Sequence, residues 1–254
     1  VIWSESQQGA LQIIGGQFSQ NTATNNGSVI FCNNKNADGS PGSRITGGTF
    51  TGNTVTNGGA IANTGNLLIG GVTFSNNGTY DIWHGLGSLM TGTVENKGMV
   101  ANIYLAANSS VTVISALVAG SEYTITTENG TKYAQDGTTP LVKFAYDGAT
   151  VTASDVTAQM SYFKSGEKGY NIVQGATNNT NLYLKPNQYT NTLTYDANDG
   201  TGAPAKQTAS VTYPNTSYEF TLSTTVPTRL GYTFAGWFTA KEGGEKVTGT
   251  YTVG

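Results

Sequence analysis

A short motif that recurs in the first third of the chain constrains the fold more than any other feature. Three segments end in the pattern Phe-x-x-Asn, with their aromatic residues at Phe18, Phe50 and Phe74. These residues are spaced 32 and 24 positions apart, and the longer interval contains a turn-rich insertion at 34–43. Short apolar segments bounded by Gly or Asn at such a period are typical of a β-solenoid, in which each coil stacks on the previous one.

The repeat also predicts which side chains stack. We expect the three phenylalanines to form a row inside the solenoid, on strands about 4.8 Å apart. The asparagines that close the motif, Asn21, Asn53 and Asn77, should lie at a common turn and hydrogen-bond from coil to coil. A second small element follows each motif, at 26–30, 57–61 and 80–83.

The tetrapeptide Gly58-Gly59-Ala60-Ile61 and the three Phe-x-x-Asn segments resemble the repeats of the polymorphic outer membrane protein type of β-helix, found in bacterial surface proteins. The first copy departs from the tetrapeptide and reads Gly-Ser-Val-Ile at 27–30, and the third copy lacks it. The resemblance covers about residues 10–85 and implies a right-handed parallel β-helix.

Short segments rich in β-branched and aromatic residues continue through the middle of the chain. We predict strands at 103–105, 111–114, 123–126, 141–144, 170–173 and 182–184. The segment 154–163 is the best helix candidate, with Ser154 or Asp155 as the N-cap and Val156, Met160 and Phe163 on one face. We therefore assign residues 1–186 to a single β-helix domain.

A second domain is predicted at 189–254. Residues 185–188 contain a proline and read as a linker, and short strands are expected at 193–195, 210–213 and 218–222. The run Pro-Thr-Arg-Leu-Gly-Tyr-Thr-Phe-Ala-Gly-Trp-Phe at 227–238, followed by Gly-Gly-Glu-Lys-Val at 243–247, resembles the Listeria–Bacteroides repeat, the B-repeat of internalin-type bacterial surface proteins. The resemblance implies a small β-grasp-like module, here lacking its last strand. We expect its aromatic residues Tyr232, Phe234, Trp237 and Phe238 to form its core.

Composition excludes several classes of fold and function. Only 11% of the residues are charged, against about 25% in an average domain. With 34 glycines as well, the chain is poorly suited to helices, so we predict an all-β fold. The net charge of -3, without a basic run, argues against binding to nucleic acid or to a membrane surface. The lack of an apolar run of about 18 residues argues against membrane insertion. The chain has one cysteine, Cys32, and one histidine, His84, so a Cys/His metal site or Cys/His catalysis is not expected.

A carbohydrate-active enzyme on a β-helix needs two or three carboxylates on neighbouring coils. No acid recurs at the coil period, so we predict no catalytic residues, no cofactor and no metal. The turn-like segment Asp196–Gly200 lacks the ligand spacing of a calcium loop. The segment Asp81–Gly85 combines an acid, an aromatic residue and an imidazole, and we interpret it as a turn with His84 partly exposed. Our ligand-binding candidates are Tyr80, Trp83 and His84, where the aromatic rings would stack on a sugar.

These observations lead to a functional hypothesis. We expect a monomeric, non-catalytic adhesin-type protein that is secreted or attached to the bacterial cell wall, and that binds a host or microbial surface protein or glycan. The alternatives are a polysaccharide lyase or hydrolase whose catalytic coils lie elsewhere, and a purely structural spacer. We also expect the native protein to continue in both directions, with further coils before Val1, and with the rest of the repeat and a wall anchor after Gly254.

Overall fold

The computed structural model describes residues 2–6, 11–36, 38, 40–94, 96–106 and 108–254. The chain divides into two compact units, Val1–Lys185 and Pro186–Gly254, called here the N-terminal and C-terminal units. In both units β-strands are the main regular secondary structure, as the composition predicts, and the sheets of the N-terminal unit are almost entirely parallel. Among the described residues, no helix combines the length and apolar character needed to cross a membrane.

Three sheets form the N-terminal unit, and their strands are numbered in chain order. Sheet A contains, in pairing order, β1 (Ile2–Ser6), β4 (Thr22–Asn34), β7 (Thr54–Asn63), β10 (Ile82–His84), β12 (Val100–Leu105), β14 (Glu122–Thr127) and β16 (Phe163–Ser165). Sheet B contains β17 (Tyr170–Gln174), β18 (Asn181–Pro186), β15 (Val142–Phe144), β13 (Val111–Val113), β11 (Leu89–Thr91), β8 (Leu67–Ile69), β5 (Ser43–Ile45) and β2 (Leu11–Ile13). Sheet C contains β3 (Gln17–Ser19), β6 (Thr49–Thr51) and β9 (Thr73–Ser75).

The order of the strands along the chain is regular. From β2 to β10 the chain visits sheets B, C and A in turn, and each new strand pairs in parallel with the strand of the previous pass. From β10 to β16 the chain alternates between sheets A and B, still in parallel. Strand β18 is different, because it pairs antiparallel with β15. All six strands predicted in the middle of the chain are present, and their bounds differ from the predicted ones by at most a few residues.

Rows of like residues run along the interior of sheet A. One row pairs Ile30, Ile61, Ile82, Ile103 and Ile125 on five successive strands, and each side chain is at most 1% exposed. Isoleucine suits this position because its branched side chain packs against the same side chain on the neighbouring strands. Burial of such apolar rows is the main stabilising contribution to the unit.

The predicted stack of phenylalanines is confirmed. Phe18 pairs with Phe50 and Phe50 with Phe74 in sheet C. The ring centroids are 4.7 Å apart in the first pair and 5.4 Å apart in the second. Phe50, which has a ring on either side, is completely buried, and the two outer rings are half-buried.

The predicted asparagine ladder is also confirmed. The Nδ2 group of Asn21 donates to Oδ1 of Asn53 at 2.8 Å, and Nδ2 of Asn53 donates to Oδ1 of Asn77 at 2.9 Å. The ladder ends at Asp81, whose Oδ1 accepts from Nδ2 of Asn77 at 3.1 Å. Each amide in this row thus donates a hydrogen bond to the next side chain, and buried polar groups need such partners.

The second element of the repeat aligns differently from the prediction. Asn57 pairs with Asn25 and not with Asn26, and a β-bulge lies between Gly27 and Ile30. The first copy carries one more residue than the second between its aligned glycine and isoleucine, and the bulge accommodates that residue.

The helix α1 (Ala153–Gln159) begins earlier than predicted. Its N-cap is Thr152, so the prediction of Ser154 or Asp155 is wrong. Asp155 is the third residue of the helix and closes a capping box, in which its carboxylate accepts from the backbone N–H of Thr152. A 3-10 turn at Met160–Tyr162 follows, and Phe163 already belongs to strand β16. A second 3-10 helix lies at Gly130–Tyr133.

The C-terminal unit contains three two-stranded antiparallel sheets. They pair β19 (Gln188–Leu193) with β20 (Gln207–Thr212), β21 (Tyr218–Thr221) with β24 (Thr250–Val253), and β22 (Trp237–Phe238) with β23 (Lys246–Val247). The expected linker at 185–188 is almost absent, because β18 extends to Pro186 and β19 begins at Gln188. The turn predicted at Asp196–Gly200 is confirmed, with Asn198 and Asp199 at positive φ.

Candidate functional site

The ligand-binding candidates lie at strand β10 and just before it. Trp83 and His84 belong to this strand, which corrects the expected turn. Successive side chains of a strand point to opposite faces. Ile82 and His84 are therefore buried in the interior, and Trp83 between them is only half-buried, on the outer face of sheet A.

The expectation that His84 is partly exposed is wrong. Its side chain is completely buried, and its Nδ1 lies 2.9 Å from Nδ2 of Asn63, the residue paired with it on β7. Its Nε2 lies 3.2 Å from the carbonyl oxygen of Gly87. These partners fit a neutral ring that accepts at Nδ1 and donates from Nε2. Burial away from water lowers the pKa of His84 to about 4, so the ring is neutral at physiological pH.

Asp81 is likewise held inside the protein. Its Oδ1 accepts from Asn77 and its Oδ2 accepts from the backbone N–H of Asn102 at 2.9 Å. Burial raises the pKa of this carboxyl, and the two hydrogen bonds act in the opposite direction. Both oxygens of Asp81 and both ring nitrogens of His84 thus have hydrogen-bond partners within the protein. These contacts give the two side chains a structural role.

Tyr80 and Trp83 lie together on the surface, next to a third ring that the sequence analysis did not select. Trp83 pairs with Tyr104 of β12, and their rings are nearly parallel with centroids 6.2 Å apart. The rings of Tyr80 and Tyr104 are 5.2 Å apart. Gly85 makes room for the indole, because a Cβ atom there would lie 2.6 Å from the ring of Trp83.

These three rings form one side of a groove of about 460 Å³. The other side comes from the first halves of β4 and β7 and includes Asn25 and Asn57. Nδ2 of Asn57 donates to Oδ1 of Asn25 at 3.3 Å. Among the described residues that line this aromatic–asparagine groove there is no Asp, Glu, Lys, Arg or His.

Gly58, which also lines the groove, lies very close to the backbone of the neighbouring strand. Gly58 has a φ of +141°, and a Cβ atom at this position would lie 2.0 Å from the carbonyl oxygen of Asn26. A side chain at this position is therefore incompatible with the pairing of β4 and β7. The glycine-rich tetrapeptide is explained by this close approach of the strands.

A sequence signal exists for Tyr104 but not for Asn25. Tyr104 follows Ile103 in the same way that Trp83 follows Ile82, so alignment of the two apolar segments places the rings side by side. Asn25 can be placed opposite Asn57 only when the position of the bulge in the first copy is known, and a single sequence does not reveal that position.

The single cysteine is a core residue, as predicted. Cys32 is completely buried, and burial raises the pKa of its thiol to about 12. Among the described residues there is no group of three or more His, Cys, Asp or Glu side chains that could hold a metal ion.

The predicted aromatic core of the C-terminal unit is wrong. Tyr232, Phe234 and Phe238 are 68%, 36% and 48% exposed, and Trp237 is half-buried. With other residues, these side chains line a cleft of about 620 Å³. The three small sheets leave this aromatic face without a covering element among the described residues, and the buried rings of the unit are Tyr195 and Phe220.

Comparison with known proteins supports the C-terminal module. Residues 191–254 match the family model of the Listeria-Bacteroides repeat domain. This repeat is typical of bacterial surface and extracellular proteins. No curated protein and no solved structure matches the chain.

Proposed function

We propose that this chain is part of a non-catalytic adhesin on the bacterial surface, in which a right-handed parallel β-helix presents a ligand-binding groove. The Listeria-Bacteroides repeat at 191–254 supports the bacterial surface location. The groove that contains Tyr80, Trp83 and Tyr104 supports the binding role, and it is the observation on which the proposal rests.

The order of the sheets supports the β-helix. The chain returns to sheets A and B at every pass, and each pass adds a parallel strand beside the previous one. Such a progression is what successive coils of a solenoid produce. The rows of isoleucine, phenylalanine and asparagine that connect one pass to the next are the ladders expected of stacked coils.

The contacts of Asp81 and His84 argue against a hydrolase or lyase at this position. General acid–base catalysis needs a titratable group within reach of the substrate. Asp81 is 7% exposed and His84 is completely buried, and their polar atoms bond to Asn77, Asn102, Asn63 and Gly87. The groove itself is lined by aromatic, amide, hydroxyl and apolar side chains, and its described lining residues include no carboxylate, imidazole or amine.

A binding screen tests the proposal. The purified chain is applied to a glycan array and to immobilised extracellular-matrix proteins, beside the variants Trp83→Ala and Trp3→Ala. Trp3 is a matched control, since it is 62% exposed on the same sheet and does not line the groove. We expect the unmodified chain and the Trp3 variant to bind a common target and the Trp83 variant to lose it.

Two results would overturn the proposal. One is the absence of any target, or a target that the Trp83 variant binds equally well. The other is the release of new reducing ends when the chain is incubated with polysaccharides, because this would indicate glycosidic cleavage. The circular dichroism spectra of all three proteins establish that the variants are folded.

A further inference from the structure

The chemistry of the aromatic–asparagine groove indicates which class of ligand it accepts. One side presents the rings of Tyr80, Trp83 and Tyr104, and the other presents the exposed amides of Asn25 and Asn57. Aromatic faces pack against the C–H faces of pyranose rings, and amides both donate to and accept from hydroxyl groups. The combination suits a ligand that is apolar on its faces and hydroxylated at its edges.

The amides keep bonding capacity for a ligand. The bond between them occupies one hydrogen of Asn57 Nδ2 and one lone pair of Asn25 Oδ1. An amide group offers two hydrogens and two lone pairs, so each of these exposed side chains retains further donors and acceptors. A sugar hydroxyl group both donates and accepts hydrogen bonds, so it can bond to the remaining donors and to the remaining acceptors of these amides.

Charge decides between neutral and acidic sugars. The groove contains no Lys, Arg or His among its described lining residues, so it offers no cation to pair with a carboxylate or sulfate. The charges that act on the Tyr104 ring are anionic. Burial raises the pKa of the Tyr104 hydroxyl, and the carboxylates of Glu128 and Glu167 raise it further. An anionic ligand would meet repulsion without a compensating ion pair.

We propose that the groove binds a neutral oligosaccharide of hexopyranose units, with the rings of Trp83 and Tyr104 as the stacking platform. This inference rests on the proposed binding function and specifies its ligand. The two rings lie on adjacent strands, with centroids 6.2 Å apart and planes within 9° of parallel. Asn25 and Asn57 bond to its hydroxyl groups across the groove.

Calorimetric titration with defined sugars tests the inference. The probes are the neutral hexasaccharides of β-1,4-linked glucose, α-1,4-linked glucose and β-1,4-linked mannose, and the acidic hexasaccharide of galacturonic acid. We expect at least one neutral probe to bind at millimolar concentration with an affinity that does not change with added salt, since no charge takes part. The acidic probe should bind more weakly than that neutral probe.

Variants localise the binding to the groove. Trp83→Ala and Tyr104→Ala should each weaken the neutral probe about tenfold, which corresponds to about 1.4 kcal/mol. Tyr104→Phe keeps the ring and should keep most of the affinity, and Trp3→Ala should change nothing. Melting curves show whether each variant is folded at the temperature of the titration.

The outcomes separate this inference from the proposed function. If the Trp83-dependent target in the binding screen is a protein, and no neutral hexasaccharide binds, the adhesin proposal stands and the inference is wrong. Tighter binding of the galacturonate probe, or neutral binding that persists in Trp83→Ala, would also overturn the inference. If the screen finds no target and no probe binds, both proposals fail.

Discussion

The phenylalanine stack of the N-terminal unit and the aromatic cleft of the C-terminal unit differ in how deeply their rings are buried. In the N-terminal unit Phe50 is completely buried between the rings of the neighbouring strands, whereas in the C-terminal unit Tyr232 is 68% exposed. The difference follows from strand pairing. Phe50 lies on a strand with a partner on each side, but each strand of the C-terminal unit has one paired neighbour. Isolated two-stranded sheets are marginally stable and bury little surface.

The comparison shows that a paired strand on each side supplies Phe50 with the neighbouring rings that bury it. In a stack of parallel strands, a residue that repeats at the coil period meets its own equivalents. In a unit of about seventy residues made of separate two-stranded sheets, the same residue type has no such partner. This contrast can be tested by substitutions in each unit.

The largest effect is expected for the stacked phenylalanine. Phe50→Ala should lower the free energy of unfolding of the chain by about 3–5 kcal/mol, because it removes buried apolar surface and leaves a cavity between two rings. Tyr232→Ala, as the matched change in the C-terminal unit, should alter it by less than about 0.5 kcal/mol. Urea unfolding monitored by circular dichroism measures both values. Equal losses in the two variants would contradict the comparison.

The next effect concerns the pH dependence of the buried histidine. An unfolded histidine titrates near pH 6.5, whereas burial lowers the pKa of folded His84 to about 4. Between these values the unfolded state binds one more proton than the folded state, so stability should fall as the pH decreases from about 6.5 to about 4. The total loss from this group is about 3 kcal/mol.

The variant His84→Gln provides the control for this pH dependence. The raised pKa of buried Asp81 acts in the opposite direction, because the folded state then binds the extra proton, and this contribution remains in the variant. The difference between the two unfolding profiles therefore reports His84 alone. Identical slopes between pH 4 and 6.5 would show that the ring is not buried in its neutral form.

A smaller effect is expected for the asparagine ladder. Asn53→Ala removes a completely buried amide that bonds to Asn21 and Asn77, so each of these two residues loses a hydrogen bond. We expect a loss of about 1–3 kcal/mol. Asn57→Ala, a change of the same kind at an exposed amide, should cost less than about 0.5 kcal/mol. If thermal unfolding gives the same midpoint for both variants, the ladder does not stabilise the stack.

The smallest effect is expected for chelation. The described residues contain no group of three potential metal ligands, and the acids of the chain are few and scattered. Addition of EDTA should leave the melting temperature and the binding of any groove ligand unchanged. A decrease of several degrees would indicate a divalent cation bound where the sequence did not predict one.

The sequence predicted the parts of this structure that repeat. The Phe-x-x-Asn motif located the phenylalanine stack and the asparagine ladder, because a repeated residue must meet its equivalent when coils stack. The groove was predicted in part. Trp83 and Tyr80 were selected from their residue types, whereas Tyr104 lies on the next strand and Asn25 is placed by a bulge.

Other features depend on tertiary contacts that the pattern does not contain. His84 was expected to be partly exposed because its segment was interpreted as a turn, yet it lies on a strand whose alternation places it inside, where Asn63 and Gly87 satisfy its two nitrogens. The exposed aromatic face of the C-terminal unit was missed because burial was inferred from residue type alone. The type of a residue indicates how much its burial would stabilise the fold, but the pairing of strands decides whether the residue is buried.

Cross-linking between successive strands tests the stacked arrangement most directly. Thr22 and Thr54 are exposed, pair with each other on β4 and β7, and have hydroxyl oxygens 3.4 Å apart. Paired positions on adjacent strands have the spacing that a disulfide requires. In a Cys32→Ala background, T22C/T54C should form an intramolecular disulfide under mild oxidation, and the control T22C/T56C should not. Equal cross-linking of both pairs, or none in T22C/T54C, would contradict the register that places Asn25 and Asn57 opposite the rings of the groove.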